Sequence, residues 1–398
     1  MTLKIKFYLI CLFVCISVLF NFLNVLDSEP ANRLKFDGLR YNSIVQEYIN
    51  GGYSFSAVTG SLLTDDLTKE EYASRVGYTW LAANIYRVTH IDLVNIYLAI
   101  SLLFFMGTAI VLMKIGSNFY QLSLLETFAC GLLFAAFPAV HLIFEIGAHP
   151  DAPFFFFSCL SMYCFYKKQH LVAAISIMIA LLFKRAAIAV PVYVIAFSIA
   201  SYKTKPIKYL HLIYYVAAVL YAYLLPKLLL TNLSYHSNYA EVFKLIVTYN
   251  RGNLFAYFLY NFQLLSFPFL IFALNRPLAE KLALSAVLLM GLLAHVYNVV
   301  DWFRVWFGLL FIWAIPYAVA YFARFKTLLG NNGLAVLYIF LLFGIYQSPA
   351  LLDIEKMRVV PVATYSILLF IILVLEVMKH LGVGSNKGGQ ESLAIDQQ

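Results

Sequence analysis

The chain has 398 residues, of which 63% are apolar or aromatic and 12% charged, with a net charge of +8. So few polar side chains cannot cover a water-soluble globule, which excludes a cytosolic enzyme, a disordered chain and a nucleic-acid binder coated in Lys and Arg. The bilayer is therefore the solvent, and the basic excess is to be read by membrane side.

Lys4 and Lys6 precede an uncharged run at 7–26. This run is longer than the apolar core of a secretory signal and has no small-x-small cleavage site, so it reads as an uncleaved first span with its lysines in the cytoplasm. Long apolar runs follow at 91–113, 122–144, 209–230, 254–274, 282–300, 303–322, 333–348 and 361–378. Each is near the ~20 residues a helix needs to cross ~30 Å of hydrocarbon. With the shorter runs at 152–166, 170–183 and 186–200, about twelve transmembrane helices are expected, both termini inside. On that arrangement the cytoplasmic segments hold 14 basic and five acidic residues, while 15 of the 20 acids face outward. The alternation needs a turn at Lys184-Arg185. Arms of 14 and 15 residues reach only about 21 Å, so that turn is expected in a recess below the outer surface. Cys11, Cys15, Cys130, Cys159 and Cys164 all lie in apolar runs, with neither disulfide nor metal spacing.

The fold class expected is thus all-α and polytopic, with 1–378 as one transmembrane domain and 379–398 as a disordered cytoplasmic tail. Its first outer loop, 27–90, is far longer than an ordinary connection. The apolar residues of 41–49 fall at helical spacing and Gly51-Gly52 follows, which predicts an amphipathic helix along the interface. The stretch 64–71 is acidic and reads as a solvated surface.

Asp37, just ahead of that helix, is either its N-cap or an acid held at the membrane surface. The next outer loop, 145–151, carries Glu145, His149 and Asp151 and enters a helix through Ala152-Pro153. Here too, an N-cap and a functional acid are both open readings. Opposite these acids are cations: Lys184 and Arg185 in the shallow turn, Arg251 in the 231–253 loop, and Arg304 between Trp302 and Trp306. Arg304 also suits interfacial anchoring. Adjacent cations below the surface are costly without a partner, and a phosphate is a natural one. Carboxylates facing cations are what a site needs if it deprotonates a hydroxyl beside a phosphate leaving group.

Three segments resemble the GT-C superfamily of polytopic membrane glycosyltransferases. Phe36-Asp37-Gly38-x-x-Tyr41-x-x-Ile44 is similar to a stretch of that family's first outer loop, and the following Arg75-Val76-Gly77-Tyr78-Thr79-Trp80-Leu81 looks like the start of its next membrane element, with Thr79 where a Pro is usual. His149-Pro150-Asp151-Ala152-Pro153-Phe154 looks like its acid-then-helix segment. The stretch from Lys167-Lys168 through Lys184-Arg185 to Pro191 looks like its basic turn, apolar helix and second basic turn, with Phe183 where a Thr is usual. Together they span roughly half of the chain.

The resemblance implies a transferase that moves a sugar from a polyprenyl-phosphate donor to a glycan, lipid or protein hydroxyl outside the cytoplasm. Asp37 would be the catalytic general base and Asp151 the second acid. Lys184, Arg185, Arg304 and Arg251 would bind the donor phosphate, and Tyr41, Arg75, His149 and Glu145 the substrates. Inversion is expected. A divalent cation (Mg or Mn) is compatible with the acids but not demanded by them. A polysaccharide polymerase or ligase of another polytopic fold, and a transporter or lipid flippase, are the alternatives. The tail carries no retention signal, which favours a bacterial cytoplasmic membrane over the endoplasmic reticulum, and no nucleic-acid partner is expected.

Overall fold

The structure is a computed structural model that describes residues 3–26, 34, 37–59, 73–137, 140, 143–144, 147–201, 209–231, 277–297, 301–346 and 359–381. The expected span at 254–274, the acidic stretch 64–71, Glu145, Arg251 and the tail beyond 381 lie outside the described residues. Among the described residues there are thirteen α-helices and no strand, as an all-α chain requires. Among these residues two helical stretches, Leu93–Phe119 and His211–Leu229, are long and apolar enough to cross a membrane.

Helix α1 (Leu3–Leu26) is followed by α2 (Asp37–Asn50), whose buried Tyr41, Ile44, Val45 and Tyr48 recur at helical spacing. The expected amphipathic helix therefore exists, but its apolar face is covered by protein. It packs on α3 (Val76–Thr89), while Tyr48 holds Tyr53 and Phe55 of the returning chain at 5.8 and 4.6 Å between ring centres. The return is possible because Gly52 and Tyr53 both take positive φ. The Glu47 carboxylate then accepts the Thr59 N–H at 2.9 Å, closing the loop.

His90 ends α3 in a left-handed conformation, and Asp92 caps α4 (Leu93–Phe119) by accepting the Val94 N–H. Helix α4 packs against α1, α3, α5 (Leu124–Ala135), α6 (Asp151–Tyr166) and α11 (Asp301–Ala323). Close van der Waals fit holds these helices together. Gly131 of α5 shows this, since a Cβ there would lie 2.7 Å from Val14 and 2.9 Å from Met113. Within the apolar run expected at 122–144, α5 ends at Ala135, and helical backbone returns at 140 and 143–144. Phe137 is non-helical and precedes Pro138, which disfavours helical backbone before it.

Helix α6 and α7 (His170–Phe183) pack closely across a turn at 167–169, in which Lys168 takes φ +59°. They run antiparallel: the Ser161 hydroxyl donates to the Ala173 carbonyl at 3.0 Å, and Phe157 stacks on Phe183 at 5.9 Å. Their 16 and 14 residues make arms of nearly equal length, so the end of α7 returns to the start of α6. The chain then leaves through a 3-10 turn, Arg185–Ile188, into α8 (Ala189–Ala200), which packs on α10 (Leu278–Tyr297). Helix α9 (Tyr209–Leu229) covers the other flank of α7. The last two helices are α12 (Lys326–Tyr346), kinked at Gly330 (φ +66°), and α13 (Val359–His380).

Gly77, the second residue of α3, fixes the approach of α3 to α7. A Cβ there would lie 3.1 Å from the Leu182 Cβ and 3.2 Å from its carbonyl. Alanine favours helix by up to about 1 kcal/mol, a gain muted in the first turn. Overpacking against main chain costs about 1–3 kcal/mol and should win. Gly77→Ala is accordingly expected to lower the thermal midpoint in detergent; an unchanged midpoint would mean that α3 has room to shift.

Candidate functional site

The geometry of the helices gathers one cluster. Asp37 is the first residue of α2 and Asp151 the first of α6, so each carboxylate sits in a helix's opening turn, where it suits the dipole. Asp151 is not the N-cap, a place taken by Pro150. Lys184 ends α7 in extended conformation (φ −155°, ψ 129°), its N–H still bonded to the Ala180 carbonyl. Because α7 runs back along α6, Lys184 meets Asp151 across 33 residues of sequence, its Nζ donating to Oδ1 at 2.6 Å. The loop residue His149 lies between the two acids. Its Nδ1 is 3.2 Å from the Asp151 Oδ1 and its Nε2 is 3.6 Å from the Asp37 Oδ2. Arg40, one turn along α2, places Nη1 3.9 Å from the other Asp37 oxygen.

The row runs from water into the protein. The Arg40 and Asp37 side chains are 38% and 19% exposed, while that of His149 is fully buried. Asp151 and Lys184 are buried as well, so each ion offsets the other's desolvation. A wall of rings backs the row. Tyr97 of α4 stacks on Tyr78 of α3 (5.8 Å), Tyr78 meets Tyr41 of α2 edge-on (5.5 Å), and Tyr41 meets the His149 ring edge-on (5.8 Å). The Tyr97 hydroxyl donates to Asn42 at 3.0 Å, tying α4 to α2. Arg75, buried ahead of α3, lies 5.5 Å from the centre of the Tyr41 ring. Burial, then the neighbouring Tyr97 phenol, pushes the Tyr78 phenol well above its usual range, and its hydroxyl sits beside the His149 main chain.

Of the residues singled out from sequence, Asp37, Tyr41, Arg75, His149, Asp151 and Lys184 are brought together. Lys184 meets an acid of its own chain there, where an open phosphate pocket was expected, and His149 is too deep to touch a substrate directly. Arg185 is half-buried on the 3-10 turn, which also packs on α11. Arg304 lies in the first turn of α11, with its side chain outside the described part. Sequence reading overlooked Arg40; its signal was the i, i+3 spacing from Asp37 on a helix.

The described side chains of the row do not by themselves suit a divalent cation. Magnesium takes about six oxygens near 2.1 Å, whereas an ammonium sits on the Asp151 oxygen and both His149 nitrogens face carboxylates. Among the described residues, no three His, Cys, Asp or Glu side chains converge as ligands. What the row can do is accept a proton at its exposed carboxylate. Compared with known proteins, the chain matches no family model, no curated protein and no solved structure.

Proposed function

We propose that this chain is a GT-C-type glycosyltransferase, a polytopic protein of about twelve spans with its site on the extracytoplasmic face of a bacterial cytoplasmic membrane. It moves a sugar from a polyprenyl-phosphate donor to a hydroxyl on a glycan, lipid or protein, serving glycan biosynthesis of the cell envelope. The observation that carries this reading is the row Arg40–Asp37–His149–Asp151–Lys184, with only its first two members reachable from outside.

Asp37 takes the proton of the acceptor hydroxyl as that oxygen attacks the anomeric carbon. The bond to the phosphate oxygen breaks on the opposite side, and its electron pair leaves with the phosphate, which needs no acid to depart as an anion. A single displacement of this kind inverts the anomeric centre. Arg40, with Arg185, Arg251 and Arg304, supplies positive charge for the phosphate. Lys184 and Asp151 act as a neutral buried pair that holds His149 in place.

A second reading, a proton-coupled transporter, draws on the same buried His-Asp-Lys row, because buried ionisable chains also serve as proton paths. Membranes containing the protein, given a radiolabelled polyprenyl-phosphate sugar and a cell-envelope acceptor fraction, should incorporate label into the acceptor. Counterflow of sugar in proteoliposomes without covalent transfer would replace the transferase by the transporter.

A further inference from the structure

We infer that His149 is a proton relay behind Asp37, receiving the acceptor's proton from that carboxylate and held for the task by Asp151 and Lys184. The inference rests on Asp37 being the base of the transfer. The His149 side chain has no exposed surface, so a substrate arriving from outside reaches it only through Asp37, which is partly open. Its two ring nitrogens face two different carboxylates, at 3.6 and 3.2 Å. The first distance is longer than a hydrogen bond by a few tenths of an ångström, roughly the tightening that catalytic contacts undergo when substrate binds.

A mere spacer would need one polar contact. Here the ring is met on two sides, by an Asp151 oxygen 3.2 Å from Nδ1 and edge-on by the Tyr41 ring, while Tyr78 sits beside the main chain of the same residue. Asp151 is in turn fixed by Lys184 at 2.6 Å. That leaves Nε2 as the atom aimed at the exposed acid. The charged and titratable groups around the ring are Asp37, Asp151 and Lys184, with Arg40 and Arg75 beyond them and the phenols of Tyr41 and Tyr78 as neighbours.

The step balances as follows. The acceptor O–H bond breaks and its proton goes to the Asp37 Oδ2 while the oxygen bonds to the anomeric carbon and the phosphate departs with the other electron pair. The proton then moves from Oδ2 to Nε2, leaving Asp37 a carboxylate again and His149 an imidazolium between two carboxylates. Water takes the proton back by way of Asp37 after products leave. The relay keeps the base from returning its proton to the new glycosidic oxygen, so His149 is a positioning residue that acts through Asp37.

The test uses the full chain in nanodiscs. His149→Gln, with wild-type thermal unfolding, should lower kcat about 100-fold with KM within about 2-fold, an effect of the size general-base support supplies. His149→Gly should regain about 10-fold on addition of imidazole, which a purely structural role would not produce. A second readout does not depend on activity. With 15N-labelled imidazoles, the signals lost in His149→Gln assign His149, and Asp37→Asn should shift its Nε2 signal. Wild-type turnover in His149→Gln, a folded His149→Gly without imidazole rescue, or an Nε2 signal indifferent to Asp37→Asn would each overturn the relay. Absence of transfer in the wild type would instead sink the transferase reading, with the nitrogen signals still reporting whether the Asp37–His149 contact exists.

Discussion

Asp37→Asn is expected to reduce sugar transfer by about 10²–10⁴-fold, the range a positioned proton acceptor contributes. The change keeps the size of the side chain at the first residue of α2 and removes only its negative charge and basicity. The losses to folding are small by comparison. One carboxylate in a helix's opening turn contributes about 0.3–1 kcal/mol, and the 3.9 Å contact with the partly exposed Arg40 adds little beyond that. The buried face of α2, with Tyr41, Ile44, Val45 and Tyr48, is untouched. Transfer and thermal unfolding measured on the same preparation separate the two effects. A variant with wild-type transfer would remove Asp37 from the chemistry and favour a polymerase or ligase that depends on Arg251 or Arg304.

Lys184→Met is expected to be the most destabilising single change in the cluster. It leaves the Asp151 carboxylate buried without the ammonium that stands 2.6 Å away. Removing one partner of a buried ion pair costs about 3–5 kcal/mol, because the remaining charge keeps its desolvation penalty and loses its compensation. The pair itself contributes little net stability, and so the double variant Lys184→Met/Asp151→Leu should recover most of the loss. Thermal unfolding of the two single variants and the double variant in detergent gives the coupling directly. Additive losses would mean that the two residues are stabilised by separate surroundings. The double variant also removes the support of His149, so recovered stability should come without recovered transfer.

The way Lys184 is placed shows where reading along the chain stops. The apolar runs at 152–166 and 170–183 locate α6 and α7 to within a residue, because runs bounded by polar turns are a local property. The same runs show that Lys184-Arg185 ends a helix. Which group an ammonium at that end will meet depends on α7 folding back along α6 and on their nearly equal lengths. A buried cation with an unknown neighbour was therefore read as a phosphate ligand, when an acid of the same chain was in reach. His149 followed the same logic: its place in the loop before α6 was visible, its burial between two carboxylates was not. Arg40 was passed over because its i, i+3 relation to Asp37 matters only once Asp37 is itself inside the helix.

The sequence by itself determined the helical class, the amphipathic face of α2 and the place of Asp37 and Asp151 beside helix starts, since each follows from composition, from a 3.6-residue period or from local cap signals. Only the tertiary structure decided that Asp37, His149, Asp151 and Lys184 form one row. It also decided that α2 is covered by protein and that Gly77 brings α3 onto the end of α7. The physical reason is that periodicity specifies which face of a helix is buried, whereas the partner on that face is chosen by close packing between segments far apart in the chain.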